Sequence, residues 1–313
     1  MILGLLAAFG TLAAWSAGTF SFLTASRLMN PTLLNRARLM LAVGATCVLA
    51  CVATGSWPWE LFTRPSVYSW LFLGLSGIVG LTIGDHFGFT ALRILGARRQ
   101  SVVSTFSPAT AAIAAYFLLS ESLSIQAMIG MGLSIAGVMW AMGSAEERTE
   151  VDKEGYGSFK FGLFLAVLGA LCQGLGLVLA KMGMQPEWYA SPGEVVVPIG
   201  GVEATFMRMI VGFLCVYVLD FVRRAPFRPL REAFVDSKGR NSMLLGTLFG
   251  PVIGVTLSLI AVKHVSAAIA QTIFSMVPLV VLGAAALLQH ERVRPSAIIG
   301  ALIAVAGVLL LVL

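Results

Sequence analysis

Ten long apolar segments constrain the fold of this chain more than any other feature. Each is bounded by charged residues, Pro or Gly, and most reach the about 20 residues that an α-helix needs to cross a bilayer. Only 12% of the residues are charged while 58% are hydrophobic, too little charge to cover a soluble surface. The sequence therefore predicts an all-α integral membrane protein with ten transmembrane helices. The expected segments are Ile2–Leu23, Leu33–Thr54, Tyr68–Leu92, Val102–Leu119, Ile125–Met142, Phe159–Lys181, Ala204–Phe221, Met243–Val262, Ala267–Leu288 and Ser296–Leu313.

Charge and cysteine usage exclude several other classes of protein. The net charge is +6, but the basic residues lie mostly in loops, where membrane topology explains them better than nucleic-acid binding. The four cysteines lie inside apolar segments, which argues against a disulfide framework. The sequence has no nucleotide-binding loop, metal-ligand cluster or nucleophile–base set. We therefore expect no cofactor, no metal, no nucleic-acid partner and no enzymatic activity.

A fixed offset relates the two halves of the sequence. Residues 170 positions apart (278 − 108) match in Pro, Glu, Gly and Arg, types that chance similarity between apolar segments would rarely supply. The pairs include Pro108 with Pro278, Glu121 with Glu291, Gly80 with Gly250, Gly84 with Gly254, Gly130 with Gly300, Gly137 with Gly307, and Arg38 with Arg208. The first and sixth spans align at a shorter offset, Trp15-Ser16 against Gln173-Gly174.

Each half contains five predicted spans, an odd number, so the second copy must enter the membrane from the opposite side. We expect residues 1–143 and 159–313 to form two inverted five-helix units, related by a pseudo-two-fold axis in the membrane plane and joined by an acidic linker, 144–158. Inverted repeats of this kind are typical of secondary transporters, whose solute site lies near the bilayer midplane.

The distribution of Lys and Arg predicts the orientation. Of the 21 basic residues, 17 lie in or beside the loops that follow the odd-numbered spans, and the other four are Arg64, Lys181, Arg208 and Lys263. Because cytoplasmic loops carry the excess of Lys and Arg, we expect the loop Arg223–Arg240 to be cytoplasmic and both termini to lie on the opposite side.

Asp85 is the one carboxylate well inside a predicted span. A charge at that depth costs roughly 2.5–3.5 kcal/mol on insertion scales, so the side chain should face a cavity or a partner. Two interpretations stay open: a site for a proton or a substrate amine, and an ion pair with Arg38 near the same membrane face. The neighbouring His86 points about 100° away around the helix and is a further candidate for the pathway.

Four other polar residues inside spans are candidates for the solute or ion pathway. Arg38 and Arg208 either bind an anionic group or extend to the interface, as long basic side chains do. Gln173 and Gln271 either hydrogen-bond a solute or bridge neighbouring helices.

Prolines and small residues inside the spans predict local helix geometry. Pro108 and Pro278 lie inside spans, cannot donate the backbone hydrogen bond of a helix, and predict kinks near mid-membrane. Glu121 falls at a helix end, where it can act as a cap. Two ladders with four-residue spacing predict close helix packing: Ser76, Gly80, Gly84, Gly88 and Gly246, Gly250, Gly254, Ser258.

An ordered set of residues recurs in the fourth and fifth spans and in their repeats. It comprises Ala91-Leu92-Arg93, Gly96-Ala97, Pro108, Glu121, Gly130 and Gly137, repeated as Ala261-Val262-Lys263, Ser266-Ala267, Pro278, Glu291, Gly300 and Gly307. Over almost the whole chain the sequence resembles the drug/metabolite transporter superfamily, specifically ten-helix proteins with two EamA-type units.

That resemblance implies a secondary carrier of a small metabolite, often an exporter of amino acids or related compounds, in the cell (inner or plasma) membrane. The implied partners are a small-molecule substrate and the lipid bilayer, with the chain a monomer or a homodimer. Two departures stand out: members with ten helices usually have cytoplasmic termini, and neither the first nor the sixth span has the acidic residue that four-helix relatives use for proton coupling. The alternatives are a membrane-embedded lipid-modifying enzyme and a non-transporting scaffold.

Overall fold

The computed structural model describes residues 1–95, 97–143, 158–185, 198–222, 229–289 and 295–312. Within these residues all of the regular secondary structure is helical, with short turns between the helices and no β-strand. Most of the predicted acidic linker, residues 144–157, lies outside the described residues, as does Glu291. In chain order the helices are α1 Ile2–Leu28, α2 Pro31–Thr54, α3 Glu60–Thr63, α4 Val67–Ser76, the π-helix π1 Gly77–Gly84, α5 Asp85–Leu95, α6 Ala97–Ser104, α7 Ser107–Leu119, α8 Ile125–Gly143, α9 Phe159–Met184, α10 Gly201–Val222, a 3₁₀ turn Leu230–Phe234, α11 Ser237–Thr247, the π-helix π2 Leu248–Gly254, α12 Val255–His264, α13 Ala267–Phe274, α14 Val277–Gln289 and α15 Pro295–Val312.

Eight helical segments of the described chain are long and apolar enough to cross a membrane. One of them, Val67–Leu92, runs through α4, π1 and α5, and another, Ser237–His264, through α11, π2 and α12. Two further apolar helices, Ile125–Ala141 and Ala267–Val281, are shorter. The all-helical membrane fold is therefore confirmed, whereas the count of ten transmembrane helices stays a prediction.

The chain forms two compact units, each of which draws on both halves of the sequence. Unit 1 comprises Met1–Ile83 and Gly176–Val265, and unit 2 comprises Gly84–Leu175 and Ser266–Leu313. The two sequence repeats and the two compact units are thus different divisions of the same chain.

In unit 1 the repeat-related helices α2 and α10 pack against each other. The side chain of Asn30 accepts a hydrogen bond from Thr32 N at 3.0 Å and so caps the start of α2. The helix ends at Gly55, whose φ of +64° favours a residue without a side chain. Buried Arg36 of α2 lies 3.5 Å from the Asp220 carboxylate of α10, so the two charges compensate each other inside the protein.

In unit 2 the repeat-related helices α8 and α15 approach closely at glycines. A Cβ atom placed on Gly130 would lie 2.6 Å from Leu311 N and 2.7 Å from Gly307 O. One placed on Gly300 would lie 2.7 Å from Gly137 O. The four glycines that match at the 170-residue offset therefore meet one another, which lets the two backbones come into contact.

Two π-helical segments occupy repeat-related places. Adding 170 to the bounds of π1 gives 247–254, which almost coincides with π2 at Leu248–Gly254. The middle of each small-residue ladder lies within a π-helix, where the sequence pattern predicts α-helix. Because π-helices are rare and frequently occur at functional sites, these segments are of interest beyond packing.

Candidate functional site

Asp85 lies at the first position of α5, directly after π1. The residue is half-buried, and its Oδ1 accepts a hydrogen bond from Gln173 Nε2 of α9 at 3.0 Å. The structure thus brings together two of the predicted pathway residues, 88 positions apart in the chain.

Glycines explain why α9 comes close enough for this contact. A Cβ atom on Gly169, one helical turn before Gln173, would lie 3.4 Å from Gly88 N and 3.5 Å from Gly84 O. Because neither helix carries a side chain at this place, the two backbones touch and the amide of Gln173 reaches Asp85.

A third predicted residue, Gln271, contacts the start of α7, where the span of α6 and α7 is interrupted. Gln271 is buried in α13, and its Nε2 donates a hydrogen bond to Ser107 Oγ at 2.9 Å. Ser107 is the first residue of α7, and its hydroxyl in turn donates to Ser104 O at 2.8 Å. A Cβ atom on Gly174 would lie 2.7 Å from Ser107 O, so the residue after Gln173 contacts this same point. Unit 2 therefore holds two hydrogen-bonded polar pairs, Asp85 with Gln173 and Ser107 with Gln271, and α9 packs against the second pair at the residue that follows Gln173.

The predicted kink residues lie just after interruptions of their spans. Pro108 is the second residue of α7, and Pro278 is the second residue of α14. At such positions a helix needs no donor from the proline nitrogen. Within each break, a hydroxyl group satisfies a backbone carbonyl of the preceding helix: Thr105 Oγ1 donates to Val102 O at 2.6 Å, and Ser275 Oγ donates to Thr272 O at 2.7 Å. These hydroxyls were not among the predicted residues, although Thr105 and Ser275 also match at the 170-residue offset.

Both predicted arginines are buried in unit 1, with 5% of each residue exposed. Such burial differs from the extension to the interface that was one interpretation of them. Arg38 Nε donates to Asn35 Oδ1 at 2.8 Å, and its guanidinium lies 5.7 Å from the centre of the Phe22 ring. Arg208 packs against π1, where a Cβ atom on Gly80 would lie 3.2 Å from Arg208 Nη2.

The remaining candidate, His86, follows Asp85 in α5 and is half-buried. Its ring lies 6.1 Å from the ring of Phe87, tilted by 54°, and its backbone carbonyl accepts a hydrogen bond from Thr90 Oγ1. The ion pair between Asp85 and Arg38 stays a prediction.

The polar pair of Asp85 and Gln173 has an apolar counterpart in the other repeat. The residue 170 positions after Asp85 is Val255, and the residue aligned with Gln173 is Trp15. In unit 1 the Trp15 indole packs directly against Gly254 at the end of π2, next to Val255. One repeat therefore carries a carboxyl–amide pair where the other carries aromatic and aliphatic side chains.

Three of the four basic residues on the predicted outer side contact other groups within unit 1. The contacts are Arg64 with the Glu203 carboxylate at 3.6 Å, Lys181 Nζ with Val265 O at 2.9 Å, and Lys263 Nζ with Ile199 O at 2.9 Å. Each of these three side chains therefore has a partner within unit 1, and the predicted orientation stays a prediction. In the part of the chain that the structure describes, no group of three or more His, Cys, Asp or Glu side chains could hold a metal ion.

Comparison with known proteins places these features in a family. A solved structure titled "Crystal structure of protein" matches with a TM-score of 0.72 at 16% identity, covering 98% of this chain and 95% of the other. A search of curated protein sequences finds no match. The model of the EamA-like transporter family matches residues 2–143 and again residues 160–313. The chain therefore belongs to the EamA-like transporter family, with its two repeats, and membership indicates a membrane transporter of small solutes.

Proposed function

We propose that this protein is a proton-coupled secondary transporter of a small metabolite, and that Asp85 carries the coupling proton. The observation that supports this is the 3.0 Å hydrogen bond from Gln173 Nε2 to Asp85 Oδ1. A carboxylate has two acceptor oxygens, and a protonated carboxyl keeps one of them, so the amide can bond either form. Proton exchange at Asp85 therefore does not break this contact.

The depth of Asp85 supports the same proposal. The residue lies in the interior of the Val67–Leu92 span and is half-buried in the protein. An ionised carboxylate within the bilayer costs roughly 2.5–3.5 kcal/mol on insertion scales, and protonation removes that charge. A carboxyl at this place can thus couple the binding of a proton to a conformational change of the protein.

The proposed substrate is an amino acid or a related compound, moved outward across the cell membrane. This part of the proposal depends on the resemblance to ten-helix members of the superfamily. Counterflow of a radiolabelled metabolite library in proteoliposomes would identify the substrate, and a response restricted to lipids or to no solute at all would contradict it.

The substitution Asp85→Asn tests the coupling because it keeps the size of the side chain and removes the charge. In proteoliposomes with an imposed proton gradient, we expect it to reduce substrate accumulation to the level reached without a gradient. Counterflow, which needs no coupling, should persist. The matched control is Glu232→Gln, an exposed carboxylate in the 3₁₀ turn, which should retain both activities.

A folded Asp85→Asn protein that still accumulates substrate against a gradient would refute the coupling role. The ion-pair interpretation predicts a different outcome: Asp85→Asn lowers thermal stability, and adding Arg38→Gln restores part of it. If Asp85→Asn does not fold alone, Gln173→Leu provides a second test, because it removes the amide and leaves the carboxyl in place. We expect Gln173→Leu to reduce proton-driven accumulation while counterflow persists.

A further inference from the structure

Arg208 packs directly on π1, the segment that precedes Asp85. Its backbone carbonyl oxygen lies against Gly77, and its Nη2 lies 3.2 Å from where a Cβ atom of Gly80 would be. Because these positions have no side chains, both the backbone and the guanidinium of Arg208 lie against the backbone of π1.

Other contacts within unit 1 hold π1 on two sides. From α10, the Gly212 carbonyl accepts a hydrogen bond from Thr82 Oγ1 at 2.9 Å. From α9, Gly176 approaches so closely that its Cβ would lie 3.1 Å from Gly80 Cα, and its carbonyl accepts a hydrogen bond from Ser76 Oγ. Arg208 is the member of this set that brings a charged group to π1.

The repeat-equivalent arginine is arranged differently. The ring of Phe22 covers π2 and the end of α11, since Cβ atoms on Gly246 and Gly250 would each lie 2.8 Å from ring carbons. Arg38 lies over that same ring, 5.7 Å from its centre. Arg208 therefore contacts π1 directly, whereas the ring of Phe22 covers π2.

The form of π1 determines where Asp85 points. A π-helical turn bonds residue i to i+5 and so contains one more residue than an α-helical turn. Conversion of one such turn to α-helix would rotate the residues that follow by about 100° and shift them by about 1.5 Å along the axis. Asp85 is the first residue after π1, so that rotation would carry its carboxyl away from Gln173.

From these contacts we infer that Arg208 is a positioning residue for the proton site. By packing on Gly80, Arg208 stabilises the π-helical form of π1, which directs the Asp85 carboxyl to Gln173. The inference builds on the proposed role of Asp85, but it concerns geometry and can be tested without transport.

The test is disulfide formation between cysteines introduced by Asp85→Cys and Gln173→Cys, in full-length protein whose four native cysteines are replaced by alanine. We expect a measurable disulfide yield in this background and about a tenfold lower yield when Arg208→Gln is added, because a rotation of about 100° moves the thiols apart. Adding Arg38→Gln instead should leave the yield unchanged. If Arg208→Gln prevents folding, Gly80→Ala replaces it, since its Cβ would lie 3.2 Å from Arg208 Nη2 and push the guanidinium slightly away from π1, and it should lower the yield by a smaller factor.

An unchanged cross-linking yield in folded Arg208→Gln or Gly80→Ala protein would overturn the inference, whatever Asp85→Asn does to transport. Equal losses with Arg208→Gln and Arg38→Gln would also overturn it, because a general loosening of the fold would then explain both. If cross-linking depends on Arg208 while Asp85→Asn still accumulates substrate, the coupling proposal fails and the positioning role of Arg208 stands. Restoration of the yield by Arg208→Lys would support a role for the cationic group.

Discussion

The close approach of α8 and α15 in unit 2 gives a sharp prediction about stability. Gly130 of α8 faces the backbone of α15, and a Cβ atom there would lie 2.6 Å from Leu311 N, 2.7 Å from Gly307 O and 2.9 Å from Leu311 Cα. Ordinary van der Waals contact begins at about 3.4 Å. The substitution Gly130→Ala therefore requires α8 and α15 to separate by about 0.8 Å (3.4 − 2.6) at this point.

The expected cost follows from that displacement. Overpacking by one methyl group typically costs about 1–3 kcal/mol. All three short contacts are to backbone atoms, so no change of rotamer on α15 can relieve them. Alanine is intrinsically better in a helix than glycine by about 1 kcal/mol, which offsets part of the cost. Because backbone contacts relax little, the upper part of that range applies, about 2–3 kcal/mol. Subtracting the gain in helix propensity, we expect Gly130→Ala to lower the free energy of unfolding by about 1–2 kcal/mol.

Reversible unfolding in mixed micelles, followed by circular dichroism, measures this difference. The matched control is Gly132→Ala, two residues along the same helix, where a Cβ atom would have nothing within 4 Å. That variant has the gain in helix propensity without the clash, and it should be as stable as the parent protein or slightly more so. A Gly130→Ala protein as stable as Gly132→Ala would refute the close approach of α8 and α15.

Two further predictions concern orientation and capping. A cysteine placed in the loop Arg223–Arg240, in a cysteine-free background, should resist an impermeant thiol reagent in intact cells, whereas one at the N-terminus should react; the opposite pattern would reverse the orientation. Glu121 Oε2 accepts a hydrogen bond from Ala267 N at 3.1 Å, at the start of α13. Glu121→Ala should therefore lower the free energy of unfolding by about 1 kcal/mol and Glu121→Gln by less, because the amide oxygen still accepts; equal losses would contradict this role as a cap.

The sequence predicts the architecture well because its signals are periodic and redundant. Long apolar segments predict the spanning helices, and the 170-residue offset predicts the repeat that the family match shows. The same offset predicts that Gly130 and Gly137 are equivalent to Gly300 and Gly307. It does not predict that these glycines contact one another across one helix interface, because an offset relates positions in the chain without fixing their distances in the fold.

The candidate site was predicted only in part. Asp85, Gln173 and Gln271 stand out as polar residues in apolar segments, but the sequence does not indicate that Asp85 and Gln173 form a pair. Their contact depends on π1, and an assignment based on 3.6 residues per turn does not detect a wider helix. Ser107 was missed for another reason: serine is common in membrane helices, and only the break in the span makes its hydroxyl available to Gln271.

The replacement of Asp85 and Gln173 by Val255 and Trp15 in the other repeat bears on how steep a gradient the transporter could build. With one coupling carboxyl, a transport cycle that exchanges a neutral solute for a proton moves a single elementary charge. A membrane potential of 100 mV is worth about 2.3 kcal/mol for that charge. Since about 1.4 kcal/mol corresponds to a factor of ten, that potential alone supports roughly a fortyfold concentration ratio of solute. Under the proposed coupling, a chain with a carboxyl in both repeats could square that ratio, so the difference between the repeats would set the ceiling on accumulation.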